Sequence, residues 1–278
     1  MVKMGTVWDR TAEFLGDNVS AILPVALFAF FVPASIGGNF AALRAGGGPT
    51  LPMVLALVEL AFAVLSLWGT LAITAMGLDL VSDRSAGRVA LSRLPAAVLV
   101  IVVLLAGVLL LAAPIPAVLA ATGHDLWAMP RGEDFALNRP EAIFSAIYLV
   151  VLIGVTLWFG ARLAVVTPAI VRERGALGSI ARAWRLSRGH GWRILGVLVL
   201  YVVVSWVAQL AAQTVFGSVF ELVAGGAGDG VTLAGVLTAT VVAAVQAAFQ
   251  VVLAAFTAKL YLALAAHDAR RGDPAVSA

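Results

Sequence analysis

The sequence predicts an all-α, polytopic membrane protein: six transmembrane helices in three hairpins, each hairpin preceded by an amphipathic helix at the cytoplasmic interface. Three observations predict it. The 278 residues are 62% hydrophobic and 12% charged, against about 45–50% and about 25% in soluble domains. The apolar residues gather into runs of the ~18 or more needed to span a bilayer. Lys and Arg are distributed with a strong bias to one side of those runs. Backbone groups in hydrocarbon must pair internally, which leaves helices or closed barrels. These runs are apolar on every face and lack the period of two that a barrel strand shows, so they read as helices.

Residues 1–18 come first. Val7, Thr11, Phe14 and Leu15 share one helical face, and Asp9, Arg10, Glu13 and Asp17 turn away from it, the pattern of an interfacial helix. No small-residue cleavage site follows, so the first span is expected to be retained. The membrane domain is 19–266. Its expected spans are 19–36, 51–76, 95–122, 142–171, 192–224 and 232–266, and 267–278 form a polar tail. Longer runs are absorbed by tilt or by extension beyond the bilayer.

A second, weaker amphipathic segment, 84–94, brings Ala86, Val89 and Ala90 together before the third span. A third precedes the fifth span, with Leu177, Ile180, Ala181 and Trp184 in one arc and Arg182 and Arg185 opposite. Leu91-Ser92-Arg93 echoes Leu186-Ser187-Arg188, and three units with a period of about 95 residues are suggested.

Orientation follows from the cations. With the N-terminus inside, Lys3, Arg10, Arg84, Arg88, Arg93, Arg162, Arg172, Arg174, Arg182, Arg185, Arg188, Arg193, Lys259, Arg270 and Arg271 lie on the inner side, and Arg44, Arg131 and Arg139 outside. Both termini are therefore expected in the cytoplasm, with the chain in a cell (inner) membrane. The formal net charge is only +3, so topology explains the basic residues and no nucleic-acid partner is expected. There is no cysteine, which removes disulfides, thiol nucleophiles and cysteine metal sites.

Residues 162–200 carry a distinctive pattern: Arg162, then Pro168, Glu173, an Arg-rich helix over 182–188, and Arg188-Gly189 with Trp192-Arg193 at the junction into the next span. This stretch resembles the membrane domain associated with glycerophosphoryl diester phosphodiesterases, and more loosely the related YciC-like inner-membrane proteins. Residues 76–94 resemble the same family more faintly. The resemblance implies a polytopic inner-membrane fold. The family's fused catalytic domain carries an HRG motif and acidic metal ligands; here Arg188-Gly189-His190 stands in the wrong order, and no long soluble segment exists to house a barrel. The phosphodiesterase activity is therefore not carried over, and no cofactor is expected.

Polar residues inside spans are the default pointers to function. Glu59 lies in the second span; Gln209 and Gln213 are a turn apart in the fifth, Gln246 and Gln250 in the sixth. At about 1.5 Å per residue, Gln209 and Gln250 come out at roughly 24 Å from their inner ends, and Gln213 and Gln246 at roughly 30 Å, near the level of Glu59. Two readings stand: interhelical hydrogen-bond glue, or a polar substrate or proton site. Arg162 and Lys259 are set inside the inner ends and either snorkel to the headgroups, pair with Glu173, or hold a lipid phosphate. Arg162, Arg182, Arg185, Arg188 and Arg193 form the candidate site for anionic headgroups, because guanidinium forks match phosphate oxygens. Trp184 and Trp192 suit an interfacial belt.

The outer loop holds His124, Asp125, Glu133, Asp134 and Glu141, whose spacing matches no familiar metal site and reads as a solvated loop. Gly225, Gly226 and Gly228 read as a turn. His190 and His267 sit at membrane edges, and no catalytic constellation is recognisable. Three function classes follow: a non-catalytic membrane module binding lipid, a protein partner or a second copy; a small transporter or channel around Glu59, in which Pro24, Pro33, Pro114 and Pro116 are the only helix interruptions; and, through the resemblance, a membrane anchor for a separate phosphodiesterase.

Overall fold

In hydrocarbon a freed backbone group has no water to turn to, and the chain resolves this as helix throughout: no strand occurs among the described residues. The computed structural model describes residues 3–40, 43–44, 50–80, 83–124, 138–173, 176–224 and 232–272. Asp125, Glu133, Asp134 and the turn glycines Gly225, Gly226 and Gly228 lie outside them. Six helical segments are long and apolar enough to cross a membrane, and this is a multi-pass membrane protein.

Helix α1 spans Met4–Asp17 and buries Val7, Thr11 and Phe14, three residues of the apolar face expected from the sequence. The first span is α2 (Val19–Ala26), a π turn (Leu27–Phe31) and α3 (Val32–Gly37). Pro33 explains the π turn. It has no N–H to offer the carbonyl of Ala29 four residues back. Ser66 of α4 (Leu51–Gly77) donates to that freed carbonyl at 2.9 Å. Val32 N–H reaches back to Leu27 instead. The proline thus widens one helix and creates an acceptor for the next.

Helix α5 (Asp83–Ala112) and α6 (Pro114–Ala121) form the third span. The middle amphipathic segment is therefore the first turns of the span's own helix, continuous through Pro95. Ala86 and Ala90 are fully buried there, and Trp68 donates to the Gly87 carbonyl at 3.0 Å.

The fourth span, α7 (Arg139–Leu163), opens with a capping box in which Asn138 and Glu141 satisfy each other's backbone N–H groups. It ends earlier than the apolar run does. Pro168 cannot donate to the carbonyl of Ala164, and a separate helix α8 (Val166–Glu173) follows, burying Val166, Pro168, Ala169, Ile170 and Val171.

Helix α9 (Leu177–Leu186) is the third amphipathic helix. Its protein-facing stripe is Ser179, Ala183 and Leu186, of which Ser179 and Ala183 are small enough to let a neighbouring helix approach closely. Of the apolar arc expected to face the membrane boundary, Leu177 and Ala181 are exposed and Ile180 and Trp184 are half-buried. Helix α9 packs on α8, and its exposed apolar residues are left for lipid.

Helices α10 (Gly191–Ala224) and α11 (Leu233–Gly272) are the last two spans. α11 is the hub. It packs on α1, on the π turn and α3, on α4, α8 and α10. Tyr261, Leu260 and Leu264 of α11 are fully buried. The first and third hairpins are closed. The middle hairpin is splayed: α5 packs chiefly on α4, and α7 on α10.

Candidate functional site

The end of the bundle that carries α1, α8, α9 and the last turns of α11 gathers most of the described cations; it is the basic end. Its organising atom is a Glu173 carboxylate oxygen at the close of α8. Arg182 Nε of α9 donates to it at 2.9 Å, and the Tyr261 hydroxyl of α11 donates at 2.9 Å. A second Arg182 nitrogen reaches Asp268 at 3.4 Å. One carboxylate thereby ties three helices together. Arg182 is committed to two acids of its own chain and serves first to dock α9.

Arg162 does not pair with Glu173. Its guanidinium carbon sits 4.8 Å from the Trp158 ring centre and 4.7 Å from that of Trp184. The two indoles meet edge-on, with centroids 5.4 Å apart at 81°. Guanidinium over an indole face is worth about 0.5–2 kcal/mol depending on desolvation. Nε of Arg162 is buried and makes no hydrogen bond within the described residues, so the aromatic faces are what hold it. The residue clamps α7 to α9 and lies against Gly191, where an added Cβ would just touch Nε at 3.4 Å.

Lys259 follows a third pattern. Its side chain is only 11% exposed, with the ammonium 3.4 Å from Asp79 and 4.7 Å above the Phe14 ring. Asp79 holds a left-handed backbone, φ 54°, in the turn after α4. Arg185, Arg188 and Arg193 are exposed, as are Leu177 and Trp192, the latter 78% exposed. His190 is buried and meets His267 edge-on, centroids 5.2 Å apart.

The intramembrane polar residues are only partly brought together. Glu59 forms an ion pair with Arg44 at the far end, both half-exposed, and lies apart from the glutamines. Gln209 turns back onto its own helix, donating to the Ser205 carbonyl at 3.2 Å and its hydroxyl at 2.9 Å. Gln213 and Gln246 do line one cleft, of about 710 Å³, between α3, α10 and α11. Glu221, Thr232 and Thr238 line it too, and Ser35 lies 3.4 Å from Thr240 across α3 and α11. Gln250 opens into another cleft, of about 460 Å³, walled by α4, α7, α10 and α11. No hydrogen bond joins any two of the four glutamines among the described residues. Height along the bundle pairs these residues, but which cleft each amide enters depends on helix rotation.

At the far end, His124 lies 3.5 Å from Glu141 and its other ring nitrogen 3.1 Å from the Thr122 hydroxyl. This pair and the capping box close the mouth of α7. No group of three or more metal-ligating side chains occurs among the described residues.

Several partners carried no signal in the sequence. Asp268 meets Arg182 across 86 positions and Asp79 meets Lys259 across 180. Trp158 was the exception, four residues before Arg162 and thus one turn away on the same helix. No family model, curated protein or solved structure matches the chain.

Proposed function

We propose that the protein is a non-catalytic membrane module that holds anionic lipid at its basic end, with that end and both termini at the cytoplasmic face of an inner membrane. One observation carries this reading. Helix α9 shows exposed apolar residues, Leu177 and Ala181, beside exposed Arg185, with Arg188, Trp192 and Arg193 just beyond. Such a surface suits the boundary between acyl chains and phosphates. Arg162 and Arg182 anchor this platform through Trp158, Trp184, Glu173 and Asp268, and Arg185, Arg188 and Arg193 are the guanidinium groups it exposes to headgroups. The likeness of residues 162–200 to the membrane domain associated with glycerophosphoryl diester phosphodiesterases belongs to the same reading, since the shared feature is this Arg-rich lead into a span.

Native mass spectrometry of the protein released gently from its membrane tests the reading. The wild type is expected to retain phosphatidylglycerol or cardiolipin, and replacing Arg185, Arg188 and Arg193 by Ala is expected to strip it. Equal retention in both proteins would discard the headgroup role of this platform.

A second reading, a small transporter or channel, draws on the cleft lined by Gln213, Gln246 and Glu221. Solute flux in proteoliposomes that is lost in Gln213→Leu with Gln246→Leu would favour it, and flux indifferent to both changes would sink it.

A further inference from the structure

Near the platform but separate from it, the N-terminal turn of α1 and the last turns of α11 enclose a groove of about 270 Å³. Lys3 and Arg10 stand on one wall and His267 and Arg270 on the other, with Val7 and Ala263 between them. Both walls follow helical spacing, so each helix turns one face into the groove. No carboxylate lines it among the described residues.

Three other basic side chains at this end are met by neighbours of their own chain. Arg182 has Glu173 and Asp268, Lys259 has Asp79, and Arg162 has two indole faces. Lys3, Arg10 and Arg270 form no ion pair among the described residues. Arg10 also borders the neighbouring pocket, which it lines together with Glu13, Asp17, Asp79 and Lys259, but none of these acids forms an ion pair with it among the described residues. Like charges brought together without an acid repel one another, and an anion between them removes that cost.

A second feature points the same way. Helix α1 begins beside this groove, and no side chain caps its first N–H groups. Fourteen residues of aligned peptide dipoles place partial positive charge there. A cation such as Lys3 at that position is unfavourable alone and favourable with an anion in place.

We infer that the groove between α1 and α11 is a phosphate-binding site, with Lys3, Arg10 and Arg270 as its cationic contacts and the N-terminus of α1 as a further donor. The space suits a phosphate group and a small headgroup and is too small for an acyl chain as well. Arg10 and Arg270 supply planar forks that match phosphate oxygens, and Lys3 supplies a point charge. The phosphate belongs either to a lipid headgroup or to a free anion. In the first case the site extends the lipid reading above with different residues; in the second it stands without it.

The full chain in a phosphate-free detergent is the material for the test. Native mass spectrometry with added phosphatidate and titration calorimetry with inorganic phosphate are the two arms. Wild type is compared with a Lys3→Gln, Arg10→Gln, Arg270→Gln variant, with the single Arg270→Gln, and with the Arg185, Arg188 and Arg193 variant. Binding of at least one probe, weakened about tenfold or more by the triple change and in the same direction by Arg270→Gln, is the expected result. Phosphatidate alone identifies a headgroup site; inorganic phosphate as well identifies a free-anion site. Failure of the wild type to bind either probe, or unchanged binding in Arg270→Gln and the triple variant, overturns the inference. Retention of phosphatidate by the groove variant and its loss from the α9 variant would overturn the groove while leaving the α9 reading intact.

Discussion

Replacing Gly69 by Ala places a Cβ 2.4 Å from the Cβ of Ala29 and 3.3 Å from the Phe30 ring. Carbon atoms rest at about 3.5–4.0 Å, so more than an ångström of overlap must be relieved. Neither Cβ can rotate away, because each is fixed to its backbone. The Ala29 backbone is also held by the Ser66 hydroxyl at 2.9 Å, and Ala29 and Phe30 are fully buried. Helix α4 and the π turn must therefore separate. Overpacking of this kind costs about 1–3 kcal/mol, offset by up to about 1 kcal/mol from the helix propensity gained over Gly. A net loss of about 1–2 kcal/mol is expected. Thermal unfolding in one detergent, followed by intrinsic tryptophan fluorescence, measures it. Gly107→Ala is the control: nothing lies within 4 Å of its added Cβ, so it is expected to be neutral or stabilising. Ala29→Gly combined with Gly69→Ala is expected to recover part of the loss, because the clash is a pairwise term. A Gly69→Ala protein that melts at or above wild type would refute the packing argument at its root.

Ser66→Ala removes the donor to the Ala29 carbonyl and is expected to lower stability by about 1 kcal/mol, read as a fall in the same melting curve; no change would mean that the freed carbonyl finds another partner. Arg162→Lys keeps the charge but not the planar face between Trp158 and Trp184. It is expected to cost about 1 kcal/mol and to loosen α9, seen as faster hydrogen exchange over residues 177–186; exchange at the wild-type rate would show that the indoles hold the helix without the guanidinium.

The membrane class, the six apolar helices and the inward-facing stripe of α1 were legible in the sequence, because each is a local property: hydropathy over some twenty positions, or periodicity over fourteen. Pro33 was legible as an interruption and Pro168 only as part of the pattern over residues 162–200, and the fold alone shows what each one does. One frees a carbonyl for Ser66, and the other cuts α8 from α7. The middle amphipathic segment was too weakly patterned for its continuity with the third span to be visible. In α9 the apolar arc pointed to one face, and the packing used the small residues beside it, because close approach of a neighbouring helix rewards Ser179 and Ala183 over bulk.

The candidate sites divide in the same way. Residue type and depth identified Glu59, the four glutamines and the basic residues as unusual, since a polar group in hydrocarbon is costly wherever it points. Which of them meet depended on helix rotation and on partners far along the chain. Glu59 found Arg44, Arg182 found Asp268, and Lys259 found Asp79. Lys3, Arg10 and Arg270 looked like topology signals in the sequence and converge only when α1 lies against the end of α11. By itself the sequence determined that these helices enter a membrane and where the charges stop them, because transfer free energy is summed along the chain. Tertiary structure alone decided which charges are neutralised by neighbours and which are left facing one another, because Coulomb energy depends on separation in space.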